Sequence, residues 1–373
     1  MEALFELIRI ALGAEGSVPE GADWPALVAL ATEQGVAALA HDGLQKCYEA
    51  DPRLSLPLDR ELKAVKYDWF GSTLNVEMEY EKQWKAVSSL SKAFAAEGLR
   101  TIVLKGFALS SCYPVPQHRY SCDFDCFLIG SGPVTDRGVY ERGNQAVEAM
   151  GVKVDRSFYK NSSFVLKGTK VENHRFLTGW RGSRRWKRFE MELEQMLEVP
   201  GALRALDTVV LAAGTDSSGG GAPGDGALFV GPPLFNALFL TRHAHLHFLV
   251  EEGISLRHLC DWELFLRRYR SEFDWNEFMS ICSRYGLARF AESMTRVAEY
   301  VCDGTGTLTP ADRRLLDDIL ALGKHTSQPK TRLATALRIL RSGWKFRAFS
   351  DETRLGCLLR YVWGYFIVRT PKL

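Results

Sequence analysis

The stretch that most limits what this chain can fold into is RYSCDFDCFL, Arg119 to Leu128. It reads as a β-strand that carries two carboxylates. Strand side chains alternate in direction, so Tyr120, Cys122, Phe124, Cys126 and Leu128 share one face, and Ser121, Asp123, Asp125 and Phe127 share the other. Asp is a poor strand former, and like charges on one strand face repel. The apolar face needs a core, and the acidic face needs either solvent or bound cations.

The surrounding pattern builds a sheet around this strand. Lys85–Gly98 reads as a helix that stops at a left-handed glycine cap. TIVL, Thr101–Leu104, reads as a buried strand, followed by a short helix starting at Gly106. A helix over Gly138–Gly151, a strand over Val152–Phe158 and a hairpin turning near Lys167-Gly168-Thr169 complete a compact α/β unit. Before it, Met1–Gly13 and Trp24–Leu44 repeat apolar residues at helical spacing. After it, Gly214–Gly226 is a Gly/Ser-rich loop, and Pro233–Gly253, Ser255–Phe273 and Asp274–Gly286 are helical. The pattern predicts an α+β fold with a mixed sheet core flanked by helical regions. Its divisions are an N-terminal helical region over 1–85, the α/β core over 86–213, the loop over 214–226 and a helical domain over 227–373.

The chain has 373 residues, 46% hydrophobic and 25% charged, with a net charge of +2, which points to no particular class of charged partner. The N-terminus has no basic leader region, and no window approaches the roughly 18 apolar residues of a membrane span. The eight cysteines form no C-x-x-C pair and mostly lie in apolar runs. They read as reduced core thiols in a cytoplasmic protein, with Cys122 and Cys126 expected in the core.

Asp123 and Asp125, two apart on one face, suit hard cations such as Mg²⁺, which takes one or two carboxylates together with substrate phosphates. A solvent-facing acidic strand is the alternative. Upstream, Lys105 and Gly106 stand where a strand runs into a helix start, a place that favours phosphate. Downstream, Lys170, Glu172 and His174 alternate onto one face, and Glu172 suits a third carboxylate or a general base.

Together these residues resemble the nucleotidyltransferase superfamily typified by DNA polymerase beta. More closely, they resemble a bacterial family of nucleotidyltransferases. The shared pattern is Leu104-Lys105-Gly106, then Arg119, Asp123 and Asp125, then Glu172-Asn173-His174, the histidines near His243, and Leu256-Arg257 with Asp261. The resemblance implies a Mg²⁺-dependent enzyme, with Mn²⁺ as a possible substitute. It would transfer a nucleoside monophosphate from an NTP, ATP by default, to a hydroxyl of an acceptor that is a small molecule, glycan, protein or RNA. It implies that Asp123, Asp125 and Glu172 are catalytic and metal-binding, and that Lys105, Gly106 and Arg119 meet the nucleotide. Phe107 follows Gly106 where the superfamily usually has Gly or Ser. That departure favours an alternative, a nucleotide-binding or scaffold protein with little or no turnover.

His174, His243, His247, Arg257 and Asp261 are the substrate-side candidates, with Arg242 adding to the polar groups in otherwise apolar helices. His243 and His247 share a helix face without an accompanying H-E-x-x-H motif, and Arg257 and Asp261 are spaced to pair. Arg175–Arg188 is basic and interleaved with Phe176, Trp180 and Trp186, fitting either a solvated hairpin or an RNA contact. The C-terminal stretch reads as a packed helix, with membrane-surface or partner contact as the other option.

Overall fold

The computed structural model describes residues 1–51, 60–179, 183–207, 211, 226–251, 253–321 and 332–366. The first helices, α1 (Glu2–Ala11), α2 (Trp24–Glu33) and α3 (Ala37–Ala50), pack through the apolar faces seen in the sequence. Helix α4 (Arg60–Ala96) is 37 residues long and runs without a break across residue 85. It ends at Gly98, whose φ of +69° is the expected left-handed stop.

Six strands follow: β1 (Arg100–Val103), β2 (Asp123–Ile129), β3 (Asn161–Leu166), β4 (Thr169–His174), β5 (Arg204–Ala205) and β6 (Leu228–Val230). They form one mixed sheet in the order β3-β4-β2-β1-β6-β5. The predicted α+β class is what the structure has. Strands β1 and β2 pair antiparallel, β2 and β4 parallel, and β3 and β4 close the hairpin at Lys167-Gly168, where both residues have positive φ.

Period two sorts the side chains of the sheet between two cores. Phe124, Cys126, Leu128, Phe164 and Val171 pack against α4 and α5 (Gly138–Ala149). Ile102, Leu104, Phe127 and Ile129 face the larger core, shared with the C-terminal helices. Those helices are α6 (Arg184–Glu198), α7 (Pro233–Leu249), α8 (Leu256–Tyr269), α9 (Trp275–Tyr285), α10 (Ala288–Asp303), α11 (Pro310–Leu320), α12 (Arg332–Arg341), α13 (Gly343–Phe349) and α14 (Arg354–Phe366). Asp123 and Asp125 share the face of Phe127, so they stand where the apolar lining of that face gives out. No described helix is long and apolar enough to cross a membrane.

Several local expectations are corrected. The Asp strand starts at Asp123, not Tyr120; Tyr120 is 39% exposed, and Cys122 is exposed rather than core. Val152–Phe158 is not a strand. Only Asp155 bridges to Ser163, and its side chain then accepts a hydrogen bond from Ser157 N (2.8 Å), turning the chain away. The helix at Gly106 is a seven-residue 3₁₀ helix, Gly106–Cys112. From Arg184 the basic segment is helical, not a hairpin, capped by Ser183 Oγ accepting from Trp186 N (3.3 Å). Strands β5 and β6 are too short to leave a periodic signal. The Gly/Ser-rich stretch from Gly214, apart from Gly226, and Trp180 lie outside the described residues.

The loop before β2 is tied to the helices by His118. Its Nδ1 lies 2.7 Å from Asp42 of α3, and its Nε2 lies 2.8 Å from Glu77 of α4. Burial alone would lower its pKa, but the two carboxylates outweigh burial and raise it. A raised folded pKa means the linkage favours folding fully below the unfolded value of about 6.5 and fades as pH rises through the folded value. Urea unfolding from about pH 6 to about pH 8 should therefore show wild-type stability falling relative to His118→Gln. Parallel curves would refute this assignment.

Candidate functional site

Parallel pairing of β2 with β4 sets Asp125 directly opposite Glu172 and Asp123 opposite Lys170. Two carboxylates face each other across the ladder, and Asp125 is only 2% exposed. Two cationic or donor groups make this tolerable. Lys105 Nζ lies 2.9 Å from Asp125 Oδ2 and 3.9 Å from Asp123 Oδ2. His174 Nε2 lies 3.0 Å from Asp125 Oδ1, while its Nδ1 is 3.2 Å from the Phe176 carbonyl. Burial pushes the Asp125 carboxyl up, but Lys105 and His174 together hold it well below the usual carboxylate range. Burial likewise opposes the Lys105 charge, and Asp125 and Asp123 overcome it, so Lys105 stays firmly protonated.

Glu172 Oε1 is 2.5 Å from Lys170 Nζ, and its Oε2 is 3.9 Å from His174 Nε2. One potential ligand atom from each of Asp125, Glu172 and His174 lies within 4.8 Å of the others. Asp125 Oδ2 is buried with the Lys105 ammonium as its partner. Two facing carboxylates at this spacing, one of them buried, fit a divalent cation.

The junction after β1 brings Lys105 to this place. Gly106 has φ +56°, and an added Cβ would lie 3.5 Å from Ser121 Oγ and 3.8 Å from Asp123 O. Glycine takes this left-handed turn without strain and keeps the two loops close. Gln83 of α4 donates to Asp123 O (2.8 Å) and fixes the start of β2. Phe107 points the other way. It is fully buried, stacked on Tyr80 (5.4 Å) and edge-on to Phe124 (6.1 Å), and so serves the core rather than the site.

Arg119 forms a bidentate ion pair with Asp261 of α8, Nε at 2.8 Å and Nη2 at 2.7 Å. Tyr113 Oη donates to the same carboxylate (2.8 Å). Asp261 therefore pairs with Arg119, not Arg257. Arg257 instead donates to the Tyr120 carbonyl (3.0 Å) and covers the Tyr120 ring. This geometry makes Arg119 a brace between α8 and the approach to β2.

Helices α7 and α8 supply the opposite wall. The His243 and His247 rings stand 4.3 Å apart, and His258 is 6.3 Å from His247. His247 Nε2 meets Glu251 at 3.0 Å. Burial, followed by His247 and Lys105 charge, holds His243 well below its ordinary pKa, and burial does the same for His258. The cavity between these walls has a volume of about 1010 Å³. Lys105, Gly106, Arg119, Asp123, Asp125, Glu172, His243, His247, Arg257 and Asp261 all line it. His174 is 1% exposed and lies behind Asp125.

Sequence reasoning missed Lys160, Gln83 and Tyr113. Lys160 lines the cavity just before β3, among Glu251, Asp125 and Lys105, and burial holds its pKa below the ordinary value. A single lysine in the irregular stretch SFYKN gives no periodic signal to find it by. Trp186, read as a candidate stacking residue for RNA, is buried beneath Arg242.

The sequence profile of an uncharacterised nucleotidyltransferase family matches residues 20–213 and 221–303. The chain belongs to that family. No curated protein and no solved structure matches it. The matched ranges of the nucleotidyltransferase profile include every cavity-lining candidate named above, on both the sheet wall and the α7–α8 wall.

The Arg119–Asp261 pair gives a stability test. Arg119 is 4% and Asp261 6% exposed, so Asp261→Ala strands a buried guanidinium. Chemical denaturation should show a loss of about 3–5 kcal/mol, whereas the double variant Arg119→Met with Asp261→Leu should recover much of it. A single variant within about 1 kcal/mol of wild type would show that the brace is not structural.

Proposed function

We propose that this nucleotidyltransferase-family protein transfers a nucleoside monophosphate from an NTP to an acceptor hydroxyl, with Mg²⁺ as cofactor and Mn²⁺ as a substitute. The observation that carries the reading is the convergence of ligand atoms from Asp125, Glu172 and His174 in the wall of a cavity of about 1010 Å³. Asp125 and Glu172, with Asp123 at the rim, would hold the cation. When bound, it would neutralise charge on the triphosphate.

The chain's own groups account for the rest. His174 orients Asp125 through the Nε2 contact. With the cation in place, Lys105 would meet the phosphates as a point charge, and Lys160 would add a second one. The acceptor oxygen bonds to the α-phosphorus, the α–β P–O bond breaks, and pyrophosphate leaves with its electron pair. Glu172 takes the hydroxyl proton. Most of the rate comes from positioning and charge complementarity. In this scheme residues 86–213 handle the nucleotide and the helices of 227–373 present the acceptor. ATP is the donor to test first. Seven of the eight cysteines are buried or half-buried and Cys302 Sγ donates to Cys260 Sγ (3.9 Å), as core thiols of a cytoplasmic protein would. Because Phe107 is spent on the core, its presence after Gly106 does not favour the inactive-scaffold alternative.

Calorimetry with each NTP, with Mg²⁺ and with chelator, tests this directly. Asp123→Asn with Asp125→Asn should weaken Mg²⁺-dependent affinity by at least about tenfold, roughly 1.4 kcal/mol. Glu172→Gln should also weaken Mg²⁺-dependent affinity and, at saturating NTP, lower pyrophosphate release by about 10²–10⁴-fold. Equal NTP affinity in chelator and in Mg²⁺ would defeat the proposal.

A further inference from the structure

The α7 wall of the cavity holds a cation that the nucleotide chemistry leaves unused. There Arg242 of α7 is 6% exposed and lies with its guanidinium carbon 3.7 Å from the Trp186 ring centroid. Its Nε is buried without a hydrogen-bond partner, and no carboxylate among the described residues pairs with it. The nearby Arg360 is held by Glu352 at 2.6 Å, and Arg338, also lining the cavity, has no acidic partner among the described residues. Burial first, and the like charge of Arg360 second, pull the Arg242 pKa down to about 10.

A buried guanidinium without a carboxylate in contact is a liability to the fold, and an indole face offsets it only in part. A charge kept in that state and directed into a cavity matches a ligand that brings the anion. Arg242, Lys105 and Lys160 line the same cavity, so the variants described below decide whether the anion is the acceptor's or the nucleotide's own.

We propose that Arg242 and Trp186 form an acceptor subsite for an oxyanion, so that the hydroxyl-bearing acceptor also carries a phosphate or a carboxylate. This rests on the nucleotidyl-transfer reading for the identity of the ligand as acceptor, but the anion site itself can be measured without turnover.

The experiment is calorimetric titration of the full chain with inorganic phosphate and, separately, with benzoate, at constant ionic strength. Each is run with the protein alone and with Mg²⁺ and a non-hydrolysable ATP analogue at saturation. Saturable binding of one anion is expected in both states, and the preferred anion distinguishes a phosphorylated from a carboxylated acceptor. Arg242→Gln should weaken it at least about tenfold, Arg242→Lys should keep more of it than Gln does, and Asp123→Asn with Asp125→Asn should leave it unchanged. Arg242→Gln should bind the ATP analogue as wild type does and melt no lower than wild type without ligands. Anion binding that survives Arg242→Gln, or no saturable binding of either anion, overturns the proposal. So does loss of ATP-analogue affinity in Arg242→Gln, which would make the anion the nucleotide's own phosphate. Failure of the analogue to bind wild type at all, with Arg242-dependent anion binding intact, would instead count against nucleotidyl transfer while upholding the anion site.

Discussion

The site depends on a carboxylate that is buried and charged at the same time. Isolated, the Asp125 charge would be expelled or neutralised. It persists because Lys105 and His174 approach from two sides. Each of those neighbours requires a separate piece of the fold. Lys105 arrives through the left-handed turn at Gly106, and His174 through the register that sets Glu172 opposite Asp125. A one-residue slip of β4 would turn Glu172 and His174 to the other face and leave Asp125 with the lysine alone. Register, turn and charge therefore specify one another.

The second wall is held in place by the same kind of interaction. Arg119 and Asp261 join the approach to β2 with α8 through a buried bidentate pair. That pair joins the sheet wall of the cavity to α8, together with the Arg257 bond to the Tyr120 carbonyl and the shared apolar core.

The strand identities of β1, β2 and the β3–β4 hairpin were legible because each has either a β-branched run or a clean alternation. The same alternation placed Asp123, Asp125 and Glu172 on one side. What escaped was non-periodic or long-range. Strands β5 and β6 are three residues or fewer and gain their identity only by pairing, β6 with β1 and β5 with β6. Val152–Phe158 looked like a strand by composition, but the Asp155 side chain turns it after one bridge. Spacing suggested that Asp261 would pair with Arg257; a partner 142 residues away, Arg119, offers two parallel hydrogen bonds and wins. Lys160 carried no local signal, because its importance comes only from the groups that converge around it.

In the proposed function the Asp125–Glu172 face holds a divalent cation together with the nucleotide. This is tested most directly by soaking crystals with Mn²⁺ and a non-hydrolysable ATP analogue and recording anomalous scattering at the manganese edge. The expected result is a peak bounded by the carboxylates of Asp125 and Glu172, with analogue phosphate beside it and the Lys105 ammonium turned from Asp125 toward that phosphate. Nucleotide bound elsewhere, or bound here with no manganese peak and Lys105 still on Asp125, would contradict it.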